Sequence, residues 1–114
     1  MHEKDVQKVV TATRLIIRPE RRKEFFQTIG PLTQRIRGER GCMNYRLFEE
    51  TGDENSLMMI EEWENRNEWN DHRNGKNFSV LHGLVNVVSI PSKIDFKFCL
   101  QIGGNEMFGE DKES

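Results

Sequence analysis

The chain has 114 residues, room for one domain around one hydrophobic core and too few for two. Its 17 basic and 19 acidic residues give a net charge of -2 with both signs interspersed, which argues against the broad basic field that nucleic acid or an anionic membrane requires. No apolar run approaches the roughly 20 residues that span a bilayer, and the charged opening MHEKDVQK lacks the apolar middle of a signal peptide, so a cytoplasmic protein is expected.

After an N-terminal extension over 1–7, the stretch Val9 to Arg18 is rich in β-branched residues and predicts a strand that Pro19 cannot extend. From Glu20 to Arg37 the period changes. Phe25, Phe26, Ile29, Leu32 and Ile36 recur at three- and four-residue steps, one apolar stripe on a helix. Pro31 predicts a kink within that helix, because the stripe continues beyond it, and Gly38 and Gly41 predict its end. Cys42 to Glu50 and Ser56 to Glu64 read as two strands joined by the polar, glycine-containing link Thr51 to Asn55, hence an antiparallel hairpin. On the second of these Leu57, Met59, Glu61 and Trp63 share one face, opposite Met58, Ile60 and Glu62.

Two short helical pieces follow, Asn65 to Arg73 and Phe78 to Val88, separated by the breaker Asn74-Gly75-Lys76-Asn77 and closed by Pro91. The last strand alternates cleanly, Ile94, Phe96, Phe98, Leu100 and Ile102 against Asp95, Lys97, Cys99 and Gln101, and the acidic, glycine-rich tail over 103–114 is expected to fray. Cys42 and Cys99 have no metal-ligand spacing and read as two reduced thiols on neighbouring strands.

The order β-α-β-β-α-β over 8–102 is the ferredoxin-like, split βαβ arrangement of the α+β class: a four-stranded antiparallel sheet with helices on one face. The first strand is apolar on both faces, and the second has Met43, Tyr45 and Leu47 opposite Cys42 and Phe48. The face without helices therefore needs a cover, and a second copy of the chain, a homodimer with Tyr45 at its interface, is the simplest.

The run R-G-E-R-G-C-M-N-Y-R-L-F-E-E (37–50), followed after a short loop by M-M-I-E-E-W-E-N-R-N-E-W-N-D-H (58–72), resembles the antibiotic biosynthesis monooxygenase family. The shared elements are G-C-x-x-Y after the first helix, E-x-W ending the hairpin, a histidine nine residues later, and F-x-x-L-H at 78–82. The resemblance implies a dimeric α/β barrel, a pocket between helices and sheet in each subunit, and oxygenation of a small electron-rich aromatic of quinol or anthrone type by dioxygen, with no flavin, metal or haem cofactor. Such a substrate, once deprotonated, can itself pass an electron to dioxygen, so the protein supplies an apolar slot, a proton acceptor and donors to developing negative charge.

By that resemblance His72 is the candidate catalytic group, as proton acceptor or donor, with Trp63, Phe78 and His82 lining the substrate pocket; Asn44 joins them because it shares a strand face with Cys42 and Phe48. The modest alternatives are that His72 caps its helix or pairs with Asp71, that Trp63 is core, and that His82 edges a packed helix. Glu61 and Glu62 differ in face, so one of them is directed inward or towards the partner, as an interface ion pair or as a base. The haem-degrading branch of the family offers a rival reading, in which His82 ligates haem iron beside Phe78, Leu81 and Val85. The chain departs from that branch at His72, where the branch has tryptophan, and at Thr13, where it has asparagine. A non-enzymatic dimeric module binding a small ligand is the third reading. No nucleophile–base–orienter set is visible in the sequence, so the chemistry is carried by the resemblance.

Overall fold

The computed structural model describes residues 7–90 and the backbone of residues 95–101. The expectations for the segments over 1–6, 91–94 and 102–114 lie outside the described residues. Strands β1 (Lys8–Ile16), β2 (Cys42–Glu50), β3 (Asp53–Trp63) and β4 (Asp95–Gln101) alternate with helices α1 (Arg22–Arg37), α2 (Arg66–Arg73) and α3 (Lys76–Val88). A 3-10 turn, Pro19–Arg21, leads into α1. The strands lie in the order β2-β3-β1-β4, all neighbours antiparallel, the ferredoxin-like α+β topology. Cys42 on β2 and Cys99 on β4 therefore stand on opposite edges of the sheet, not on neighbouring strands as expected.

Helix α1 buries Phe25, Ile29, Leu32, Thr33 and Ile36, the stripe expected from their spacing. Phe26, counted in that stripe, is turned outward instead, 36% exposed, with the Arg22 guanidinium 4.7 Å from its ring centre. Residues i and i+1 are about 100° apart around a helix, so only one of an adjacent pair can face the core squarely. The helix runs unbroken through Pro31. Pro31 and Gln27 both lie on the exposed side, so the Gln27 carbonyl that proline cannot serve is available to water.

Strand β3 buries Leu57, Met59, Glu61 and Trp63, and β1 adds Val9, Thr11 and Leu15. With Ile17, Tyr45, Leu81, Val88 and the α1 stripe, these form one core between sheet and helices. The pairing of β2 with β3 slips by one residue between Cys42 and Asn44: Cys42 opposes Trp63, yet Asn44 opposes Glu62. The extra residue, Met43, is a bulge that reverses the facing of everything after it. Tyr45 consequently turns into the core, 1% exposed, and is not a subunit-interface residue as the plain alternation suggested.

Two short connections position α2. Asn65 caps it, its side chain accepting from the Glu68 backbone N–H at 2.9 Å. Gly41 takes φ +83°, and a Cβ there would stand 2.5 Å from the side chain of Glu68, so the turn before β2 and the start of α2 fit only around glycine. At the far end, Arg18 N–H donates to Val88 O at 2.8 Å and Ile90 N–H to Ile16 O at 3.0 Å, tying the end of α3 to β1. No helix among the described residues is long and apolar enough to cross a membrane.

Candidate active site between the sheet and the second helical segment

Helix α2 presents His72 inward, and its side chain is wholly buried. The imidazole stacks on Trp63, ring centres 4.5 Å apart and 26° between planes, and meets Phe78 and Tyr45 edge-on at 5.5 and 6.4 Å. Each such aromatic pair adds about 0.5–1.5 kcal/mol beyond the area it buries. The partner of His72 is not Asp71. Its Nδ1 lies 2.9 Å from Glu39 Oε1, in the turn between α1 and β2, and Asn77 Nδ2 donates to Glu39 Oε2 at 2.8 Å. Its Nε2 lies 3.8 Å from Glu61 Oε1 and is buried without a hydrogen-bond partner.

Of the two adjacent glutamates, Glu61 is the inward one, 5% exposed, and its carboxylate accepts from Trp63 Nε1–H at 2.8 Å. The indole is thus core wall and hydrogen-bond donor at once. Glu62 projects to the other face of the sheet and accepts from Asn44 Nδ2 at 3.0 Å. Burial, reinforced by Glu61 and Glu39, pushes the Cys42 thiol up to about 11 and raises the Tyr45 hydroxyl far above its usual range. The Tyr45 hydroxyl donates to Met59 Sδ at 3.8 Å.

A cavity of about 230 Å³ opens beside this cluster. Thr13, Met59 and Glu61 of the sheet form its floor, Trp69 and Arg73 of α2 one wall, and Phe78, Leu81, His82 and Val85 of α3 the other. The lining is apolar apart from Thr13 and Glu61 below and the exposed Arg73, His82 and Asn86. The Arg73 guanidinium lies 4.9 Å from the ring centres of both Trp69 and Phe78, held between two aromatic faces.

The five residues singled out in the sequence are therefore not one lining. Phe78 and His82 face the cavity, Trp63 and His72 stand one layer behind it and touch it through Glu61, and Asn44 is on the opposite side of the sheet. The β2 bulge explains the displacement of Asn44. Sequence reasoning missed Glu39 and Arg73: one sits in a turn and the other at a helix end, where no periodicity signals a role.

Haem does not fit the cavity as built. His82 is exposed on α3 and its ring is covered by Phe78, 6.2 Å between centres and 24° between planes. The volume of about 230 Å³ falls below the roughly 300–1,000 Å³ of pockets that bury drug-sized ligands, and a porphyrin is larger than most of those. An apolar cavity of about 150 Å³ can hold benzene, so one or two aromatic rings match the space. Among the described residues no three His, Cys, Asp or Glu side chains converge on a metal-sized point, since Glu39 and Glu61 lie against different nitrogens of the same imidazole.

The fold and sequence have known counterparts. A conserved protein from Methanosarcina mazei superposes with a TM-score of 0.77 at 18% identity, over 89% of this chain and 99% of that one. A crystal structure of an antibiotic biosynthesis monooxygenase gives a TM-score of 0.71 at 24% identity, over 84% of this chain and 98% of that one. YcnE of Bacillus subtilis, which carries the provisional name of a monooxygenase, is 38% identical over 55 residues, 48% of this chain. The match spans only 58% of the length of YcnE. The family model for antibiotic biosynthesis monooxygenases matches residues 8–83, which takes in β1 through most of α3 and every residue of the buried cluster. The chain belongs to the antibiotic biosynthesis monooxygenase family.

Proposed function

We propose that this protein oxidises a one- or two-ring quinol with dioxygen in the cavity between its sheet and α2–α3. The observation that carries the reading is Glu61, a buried carboxylate facing a small apolar cavity with a cation, Arg73, at the rim. A substrate hydroxyl placed over Met59 meets Glu61 as proton acceptor, and the resulting oxyanion is stabilised by Arg73. The electron-rich anion then reduces dioxygen directly. A quinol and dioxygen give a hydroxylated quinone and water. His72 and Trp63 act behind Glu61, and Phe78, Leu81 and Trp69 keep water from the reacting carbon.

The outer face of the sheet supports a homodimer. Phe48 and Met43 are 49% and 42% exposed there or at its edge, next to the half-buried Val10, Ala12, Ile16, Met58 and Ile60. Packing two such faces gives the dimeric barrel.

Oxygen uptake with a panel of quinols tests the reading. Turnover above buffer, abolished in Glu61→Ala, reduced in His72→Ala and weakened through KM in Arg73→Leu, is the expected result. Saturable binding of the same compounds without oxygen uptake would refute the enzyme and leave a ligand-binding module.

A further inference from the structure

A proton taken up by Glu61 beneath a bound substrate needs a way out, and the side chains behind Glu61 form one. Glu61 Oε1 stands 3.8 Å from His72 Nε2, and His72 Nδ1 stands 2.9 Å from Glu39 Oε1. The Glu39 side chain is 22% exposed, so this row of three groups begins at the cavity and ends at solvent.

The hydrogen-bond pattern fixes how the row is set. A carboxylate only accepts, so the short contact with Glu39 requires the hydrogen on Nδ1 and leaves the lone pair of the neutral ring on Nε2. Asn77 holds the Glu39 carboxylate in place, which makes the choice of tautomer a property of the fold. The bare Nε2 then faces Glu61 Oε1, itself an acceptor already engaged by Trp63 Nε1–H. Two buried acceptors facing each other across 3.8 Å are a pair short of one proton. The other neighbours of the ring, Trp63, Phe78 and Tyr45, cannot supply it, because Trp63 and Tyr45 direct their hydrogens to Glu61 and Met59.

We propose that Glu61, His72 and Glu39 form a proton relay that carries the hydroxyl proton of a bound quinol from the cavity to solvent, with Glu39 as its positioning and exit residue; this rests on the proposed reading of the cavity. The substrate O–H breaks as the Glu61 O–H forms, leaving the substrate anion. Glu61 passes that proton to Nε2, and the resulting imidazolium gives its Nδ1 proton to Glu39, which releases it to water. No electron moves along the row. The proton needed to form water at the end of turnover returns by the reverse path and restores hydrogen to Nδ1.

The test uses the full chain, labelled with 15N-histidine, and oxygen uptake with a quinol. At pH 8 the wild-type His72 should show hydrogen on Nδ1 and a bare Nε2, and Glu39→Ala should move the hydrogen to Nε2. The same variant should lose about tenfold or more in kcat with KM unchanged. Acetate or imidazole should restore its rate in proportion to concentration, which a merely structural defect would not allow. Glu39→Gln, which keeps a carbonyl acceptor, should fold normally and stay slow. Hydrogen on Nε2 in the wild type, full kcat in Glu39→Ala, or a loss indifferent to added base would overturn the relay. The expected tautomer and its switch, in a protein that consumes no oxygen with any quinol, would uphold Glu39 as the positioning residue and refute the substrate reading.

Discussion

Replacing Glu61 with glutamine should leave the stability of the protein nearly unchanged while stopping its chemistry. The amide has nearly the shape of the carboxylate, so its Oε1 can go on accepting from Trp63 Nε1–H. The contact with His72 Nε2, at 3.8 Å, runs through that same Oε1, so the new NH2 takes the Oε2 position and gives Nε2 no donor. Exchanging a charged for a neutral acceptor at Trp63 costs about 1 kcal/mol. Removing a buried charge with a single close donor offsets it. The net expectation is a change within about 1 kcal/mol, a shift in Tm of no more than about 3–6 °C for a chain of this length. Thermal and urea melts at pH 8 measure it beside oxygen uptake. Glu61→Ala is the contrast: it orphans the Trp63 N–H as well and should cost about 2–4 kcal/mol. A Glu61→Gln protein whose stability changes by more than about 2 kcal/mol, or that turns over at the wild-type rate, would refute this account of Glu61.

Gly41→Ala should cost about 1–3 kcal/mol, because the positive φ and the Glu68 side chain 2.5 Å from any Cβ leave no relaxed position; an unchanged urea midpoint would contradict it. In a Cys99→Ser background, Cys42 should react with iodoacetamide at pH 8 about 100-fold more slowly than a free thiol, since burial raises it from 9.0 to about 11. The same shift has a stability sign. A thiol raised in the folded state leaves stability intact below pH 9.0 and erodes it as pH climbs towards 11, so the urea midpoint should fall across that window and fall less in Cys42→Ala.

Much of the scaffold is legible because it rests on periodicity. The alternation Leu57, Met59, Glu61, Trp63 and the stripe Phe25, Ile29, Leu32, Ile36 each describe one buried face, and both are observed. Glu61 shows the limit of such reading. Its place in an apolar alternation marks it as inward, but whether it meets a cation, a cavity or a histidine depends on α2, which packs from elsewhere in the chain. Resemblance gives His72 a role, and the sequence offers Asp71 next door as its partner. Successive residues on a helix point about 100° apart, so Asp71 is exposed while His72 is buried. The carboxylate that reaches the ring comes from 33 residues away, through a turn whose geometry depends on Gly41. No local pattern encodes that contact.

The β2 bulge shows how one residue decides what the site contains. Counting alternately from Cys42 puts Asn44 and Arg46 over the core and Tyr45 outside. With Met43 inserted as the extra residue, Tyr45 opposes Glu61 and Asn44 opposes Glu62. The alternative register would bury an amide and a guanidinium beside Trp63, with Glu61 as their only nearby acceptor, and would expose a phenol ring on the outer face. The observed register buries the ring against His72 and sends the polar pair Asn44–Glu62 to the face where their contact is half-buried. It also keeps competing donors away from Glu61. An arginine or asparagine over that carboxylate would hold it as an ion pair or hydrogen-bonded acceptor and quench its basicity. The bulge thus leaves the Glu61 carboxylate with the Trp63 N–H as its hydrogen-bond donor and the His72 ring beside it, open to the cavity on its other side.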